Sequence, residues 1–233
     1  MPNIPSFINI VPFQRRKTLM ITLVMLPAAI ALWLFLCCRS NKPGAHVFLV
    51  IDRSGSNHDS IDGSIAAAAQ IAASMNPATD TVTCFAMDSE VVEIYDQAAP
   101  EDAETFRDAV APVLQKEPAR PGTYPARMWV QVAAHVRAER LPCAVCLFWD
   151  GDDDGPIQAH ASALWAFTDM AGIPSLTGLT VYGIAPRNRA ALRALGAPLG
   201  GRLHLYSADA IDTAPLLADL ESARERAAKG AKN

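Results

Sequence analysis

Residues 46–56 read His46-Val-Phe-Leu-Val-Ile-Asp52-Arg-Ser54-Gly-Ser56, an apolar run that ends abruptly in an aspartate and two serines. A strand with one wet face alternates in polarity. A run without alternation predicts a strand covered on both faces, as in a parallel sheet between two helix layers. A second run, Ala144-Val-Cys-Leu-Phe-Trp149, ends the same way in Asp150-Gly151-Asp152. In open α/β sheets, sites form at the carboxyl ends of strands where the strand order reverses, so these two acidic ends are the most informative positions in the chain.

The segments around them alternate helix and strand. Ser60 to Met75 predicts an Ala-rich helix with Ile61, Ile65, Ala68, Ala69 and Ala72 along one side. Thr81–Met87 and Val91–Tyr95 predict a hairpin across Asp88-Ser89-Glu90. Glu101–Gln115 predicts a helix with acidic residues in its first turn, followed by a stiff loop holding Pro118, Pro121, Gly122 and Pro125. Helices are expected over Ala126–Arg140, Ile157–Met170, Arg187–Leu195 and Ala208–Ala228, with strands at Leu179–Ile184 and Arg202–Tyr206. Leu216, Leu217 and Leu220 mark the buried side of the last helix, and Arg224, Arg226 and Lys229 are expected to complement its C-terminus. The expected fold class is α/β: a doubly wound, mostly parallel sheet with one antiparallel edge strand and helices on both faces, over residues 46–228, with 229–233 as a tail.

The two acidic ends and the Pro-rich loop gather Asp52, Ser54, Ser56, Thr123 and Asp150. Two carboxylates and three hydroxyls form an all-oxygen set of limited negative charge, suited to a hard divalent cation that keeps some waters; zinc is disfavoured because no His or Cys joins it. At these residues the sequence resembles the von Willebrand factor type A domain, whose metal-ion-dependent adhesion site uses DxSxS after the first strand, a Thr on a following loop and an Asp at the end of the fourth strand. Asp52, Ser54, Ser56, Thr123 and Asp150 match that pattern in order, and the resemblance covers roughly residues 45–225. It implies Mg2+, or Mn2+ or Ca2+, held directly by Ser54 and Ser56, directly or through water by Thr123, and mostly through water by Asp52 and Asp150. Trp149 departs from the small polar residue common before that Asp-Gly and is expected to alter the rim. Neutral hydroxyls close to the ion leave it electron-poor, so the expected partner is a protein presenting Asp or Glu.

Three other readings stand beside this one. Ser54, Gly55 and Ser56 can form a plain turn and helix cap. A metal-independent scaffold would keep the fold and lose the ion. A haloacid-dehalogenase-like phosphatase also starts from an aspartate after an apolar strand, but Ser54 stands where its second, acid/base aspartate belongs. Cys143-Ala-Val-Cys146 is a single CxxC on an expected strand, where residues three apart face opposite sides; buried structural thiols are expected, with Cys84 the third cysteine of the domain. His58 and Asp59 read as a solvated pair, His135 and His160 as structural, Asp152, Asp153 and Asp154 as a cation-attracting or merely solvated turn, and Trp129, Trp149 and Trp165 as core or rim packing.

The 233 residues are 51% hydrophobic and 19% charged, which excludes a disordered chain. Thr18 to Cys38 contains no charged side chain over 21 residues, enough to cross about 30 Å of hydrocarbon at about 1.5 Å per residue. A transmembrane helix over 18–38 is expected, kinked at Pro27, between an N-terminal cytoplasmic segment 1–17 and a linker 39–45. A cleaved signal peptide would carry a shorter apolar stretch and small residues in place of Phe35-Leu36-Cys37-Cys38. Arg15, Arg16 and Lys17 outnumber Arg39 and Lys42, predicting a single-pass protein with a cytoplasmic N-terminus and a periplasmic or extracellular domain. These five cations stand against a net charge of −4, leaving −9 for the remainder, which argues against nonspecific nucleic-acid binding.

Overall fold

The computed structural model describes residues 43–116, 122–152, 157–207 and 212–230, with the backbone alone for Ser56, His58, 157–160 and Gly230. The expected segments 1–17 and 18–38, the linker through Lys42, residues 231–233, and Asp153 and Asp154 lie outside the described residues. Among the described residues no helix is long and apolar enough to cross a membrane.

Among the described residues six strands form one sheet: β1 His46–Asp52, β2 Thr81–Met87, β3 Val91–Ala98, β4 Cys143–Phe148, β5 Leu176–Tyr182 and β6 Leu203–Leu205. Their order is β3-β2-β1-β4-β5-β6. Only the β2–β3 hairpin is antiparallel, with an irregularity at Cys84/Phe85. The chain builds outward from β1 in one direction, then crosses back to start β4 on its other side. That reversal lies between β1 and β4, where Ile51 pairs with Phe148. The doubly wound, mostly parallel architecture with an antiparallel edge is therefore the one expected from the alternation of elements.

The helices are α1 Ile61–Ala73, α2 Ala103–Leu114, α3 Pro125–Ala138, α4 Ile157–Ala171, α5 Pro186–Leu195 and α6 Ala214–Gly230. Val47, Leu49 and Ile51 of β1 enter one apolar cluster with α1, α2 and α6, while Phe48 and Val50 enter a second with α3, α4 and Leu192 of α5. Successive side chains of a strand point to opposite faces, so two cores require an unbroken apolar run. β4 repeats this: Cys146 lies in the first cluster and Cys143 in the second. Both are free and buried, and desolvation pushes the Cys143 thiol up to about 12 and Cys146 higher still, as suits the buried structural thiols expected from their spacing. Both clusters and every described strand lie inside the compact unit Pro43–Asn233, so a fragment of residues 43–233 keeps both cores and is expected to fold on its own.

Several expectations change. β3 runs three residues beyond Tyr95, because Tyr95 to Ala98 keep pairing with Thr81 to Cys84. β5 starts at Leu176 and β6 is only three residues long. Helical structure before Ile61 is a 3-10 segment, Gly55–Ser60. Asp102 caps α2 by accepting from the Thr105 N–H at 2.7 Å, which with Glu104 accounts for the acidic first turn. Arg224 does not serve the C-terminus of α6: it pairs with buried Asp80 and, at 3.2 Å, with Glu221. Trp129 and Trp149 are buried, but Trp165 is 54% exposed on α4, its ring covered only in part by Arg137, whose guanidinium carbon is 5.5 Å from the ring centre.

Candidate metal centre

Asp52 is the last residue of β1 and is almost fully buried. Its Oδ1 accepts from the Ser54 N–H at 2.9 Å and its Oδ2 from the Asn57 side-chain amide at 2.6 Å. Asn57 N–H in turn donates to the Ser54 carbonyl at 3.0 Å, so the chain after β1 folds back over its own aspartate. Ser54 is buried at this turn; Ser56 follows inside the 3-10 segment, with only its backbone described.

The neighbouring strand fixes Thr123. Asp52 pairs with Met87, and Arg53 N–H donates to the Met87 carbonyl at 2.9 Å. One residue further, the Asp88 carbonyl accepts from the Tyr124 N–H at 3.1 Å, which holds the loop before α3 at the same sheet edge and buries Thr123. Arg53 secures this corner: its Nη2 lies 2.8 Å from Asp88 Oδ2 and its Nη1 donates to the Val113 carbonyl at 3.2 Å.

Asp150 follows β4 on the other side of the reversal and is half-buried. Its Oδ1 accepts from the Asp152 N–H at 2.9 Å. Asp152 stays partly exposed but is tied down: Asn188 donates to its Oδ1 at 2.7 Å and Arg187 to its Oδ2 at 2.7 Å, which hold its carboxyl below the usual range. Of the two packing roles expected for Trp149, core or rim, the structure shows the first. It sits in the core and donates from Nε1 to the Asp152 carbonyl at 2.9 Å.

The structure thus brings Asp52, Ser54, Thr123 and Asp150 to one end of the sheet, with the Ser56 side chain outside the described residues. Among the described residues no group of three or more His, Cys, Asp or Glu is placed to hold a metal ion. Asn57, Arg53 with Asp88, and Asn188 are additions the sequence reading did not single out. Asn57 lies one residue past DxSxS and was within reach of a local argument. Asn188 stands 38 residues from Asp150 and has no local signal.

Burial pushes the Asp52 carboxyl up to about 6; the bonds from Ser54 and Asn57 oppose this, and the nearby Asp150 charge adds to it. A proton or a cation at this place relieves the same desolvation. Without metal, the folded state binds the Asp52 proton more tightly than the unfolded chain does, whose carboxyl titrates at 3.8. Stability associated with this group is therefore lowest above about pH 6 and grows as pH falls from 6 towards 3.8. A difference of about two pH units corresponds to a ceiling on the order of 3 kcal/mol. In EDTA, the melting temperature of fragment 43–233 at pH 5 relative to pH 7.5 is expected to be higher for the wild type than for Asp52→Asn. Equal pH responses in the two would refute the assignment.

No protein-family model matches the sequence, and no curated protein matches it. Solved structures do. The chain superposes on the PilB minor pilin of Streptococcus sanguinis with a TM-score of 0.55 at 11% identity, covering 82% of this chain and 63% of the pilin. BatB of Bacteroides thetaiotaomicron gives 0.52 at 12% identity, covering 82% of this chain and all of that one (100%). A von Willebrand factor type A protein of Catenulispora acidiphila gives 0.50 at 20% identity, covering 80% of this chain and 42% of that protein. The chain therefore spans less than two-thirds of the pilin and of the Catenulispora protein. The fold is von Willebrand factor A-like.

Proposed function

We propose that this domain binds a divalent cation, Mg2+ or in its place Mn2+ or Ca2+, at the carboxyl ends of β1 and β4, and through it captures an Asp or Glu side chain of a protein partner. By the resemblance to the von Willebrand factor type A site, Ser54 and Ser56 would hold the ion directly, Thr123 directly or through water, and Asp52 and Asp150 mostly through bound water. The bound ion supplies an electron-poor position for an incoming carboxylate. The activity is binding for adhesion, assembly or scaffolding, without turnover. Residues 18–38 anchor the protein as a single-pass membrane protein, with the N-terminus cytoplasmic and the domain periplasmic or extracellular; the apolar length and flanking charges support this.

One observation carries the metal reading: Asp52, buried at the end of β1, shares with buried Ser54 and Thr123 the sheet edge at which the neighbouring β4 runs out into Asp150. A cation there would offset the cost of burying the Asp52 carboxylate. Both Asp52 oxygens already accept hydrogen bonds, which suits an oriented outer ligand better than a phosphatase nucleophile.

The test is thermal unfolding of fragment 43–233 in EDTA and in excess Mg2+ or Mn2+, beside Asp52→Ala. Metal at about 100 times its dissociation constant stabilises the native state by roughly 2.7 kcal/mol. The wild-type midpoint is expected to rise and that of Asp52→Ala to stay in place, and full-length Asp52→Ala or Thr123→Ala is expected to lose partner capture. No wild-type shift at millimolar metal would sink the metal site and leave a metal-independent scaffold.

A further inference from the structure

Asp150 owes its position to a residue on another element. Its carbonyl accepts two hydrogen bonds, from the Ala185 N–H at 2.8 Å and from the Asn188 side-chain amide at 3.1 Å. The same Asn188 nitrogen donates to Asp152 Oδ1 at 2.7 Å, and the Asp152 N–H donates to Asp150 Oδ1 at 2.9 Å. One amide group thereby holds both ends of the three-residue turn that presents the Asp150 carboxylate. Gly151 forms the middle of that turn at φ +89°, and a Cβ there would lie 2.7 Å from Asn188 Cβ. The backbone of the turn and the Asn188 side chain are packed without room for another atom.

We infer that Asn188, in the first turn of α5, is a positioning residue of the metal centre, setting the affinity for the cation by fixing the Asp150 turn. The inference rests on the metal reading above. Groups that orient the ligands of a metal site govern its affinity, and their removal typically weakens binding about 10- to 100-fold. Asn188 suits this role because its amide is neutral. A carboxylate in its place would repel Asp152 and offer no donor to the Asp150 carbonyl. Arg187 is the natural comparison: it also grips Asp152, at 3.0 and 2.7 Å, but it is 72% exposed and its described bonds go to the Asp152 carboxylate, not to Asp150.

The test is isothermal titration of Mn2+ into fragment 43–233, with the EDTA melting temperature recorded for every variant. Asn188→Ala is expected to weaken Mn2+ about tenfold or more. Asn188→Gln, which keeps the amide but displaces it by one methylene, is expected to weaken it as well. Arg187→Ala is expected to stay within about twofold of wild type, as an exposed ion pair contributes little. A merely structural Asn188 would lower the EDTA melting temperature and leave the Mn2+ affinity unchanged. Unchanged affinity in folded Asn188→Ala and Asn188→Gln, with binding abolished by Asp52→Ala, overturns this inference and leaves the metal reading standing. Absence of Mn2+ binding by the wild type overturns both.

Discussion

Asp80→Ala is expected to cost the domain about 3–5 kcal/mol of unfolding free energy. Asp80 precedes β2, is buried, and gathers four donors: the Ala45 N–H at 2.9 Å and Thr79 Oγ1 at 3.1 Å on Oδ1, and the Asn76 N–H at 2.7 Å with the Arg224 guanidinium on Oδ2. It therefore ties the entry to β1, the turn after α1 and the middle of α6 into one knot. Truncation leaves the buried Ala45 N–H, the Asn76 N–H and a guanidinium only 15% exposed with their shared acceptor gone. Asp80→Asn keeps the shape but loses the charge, so a smaller loss is expected. Urea unfolding of fragment 43–233 measures both. A loss below about 1 kcal/mol for Asp80→Ala would show that solvent replaces the carboxylate at little cost.

The second large effect is expected at Gly151. Its φ of +89° is a conformation that side-chain-bearing residues rarely adopt, and an added Cβ would stand 2.3 Å from Ile184 Cδ1 and 2.7 Å from Asn188 Cβ. Ile184 Cδ1 is the end of a flexible chain and can turn aside. Asn188 Cβ is fixed to α5 and cannot move without withdrawing its amide. Gly151→Ala is thus expected to destabilise the domain by about 2 kcal/mol or more, and to weaken Mn2+ binding through the displaced Asp150 turn. Gly63→Ala gives the opposite sign. Gly63 is exposed inside α1 with no atom within 4 Å of the new Cβ, and alanine there is expected to stabilise by about 0.5–1 kcal/mol. Urea unfolding of the two variants side by side decides whether local conformation and packing set these signs.

Much of the architecture was legible because it depends on short-range pattern. The unbroken apolar runs of β1 and β4 required two covered faces, and the three-residue spacing of Cys143 and Cys146 required that they part to opposite cores. The Asp88-Ser89-Glu90 turn announced the hairpin, and Asp52, Ser54, Thr123 and Asp150 could be nominated because each stands directly after a strand or inside the Pro-rich loop. Arg224 and Trp165 were misread for a shared reason. A residue's place on a helix gives its face but not what another element brings to that face: Asp80 meets Arg224 from 144 residues away, and Trp165 turns outward beside Arg137.

By itself, the sequence determined the α/β class, the antiparallel edge and the positions where carboxylates and hydroxyls leave the strands, since periodicity of two or 3.6 residues and turn chemistry are properties of adjacent residues. The tertiary structure alone decided that β1 and β4 are neighbours at the reversal of strand order, that Asp52 is desolvated beside Asp150, and that Asn188 and Arg53 hold the loops at that edge. Those outcomes depend on strand order and on contacts between distant segments. Local propensity carries no information about them, because the energies that select them appear only when separate elements bury one another.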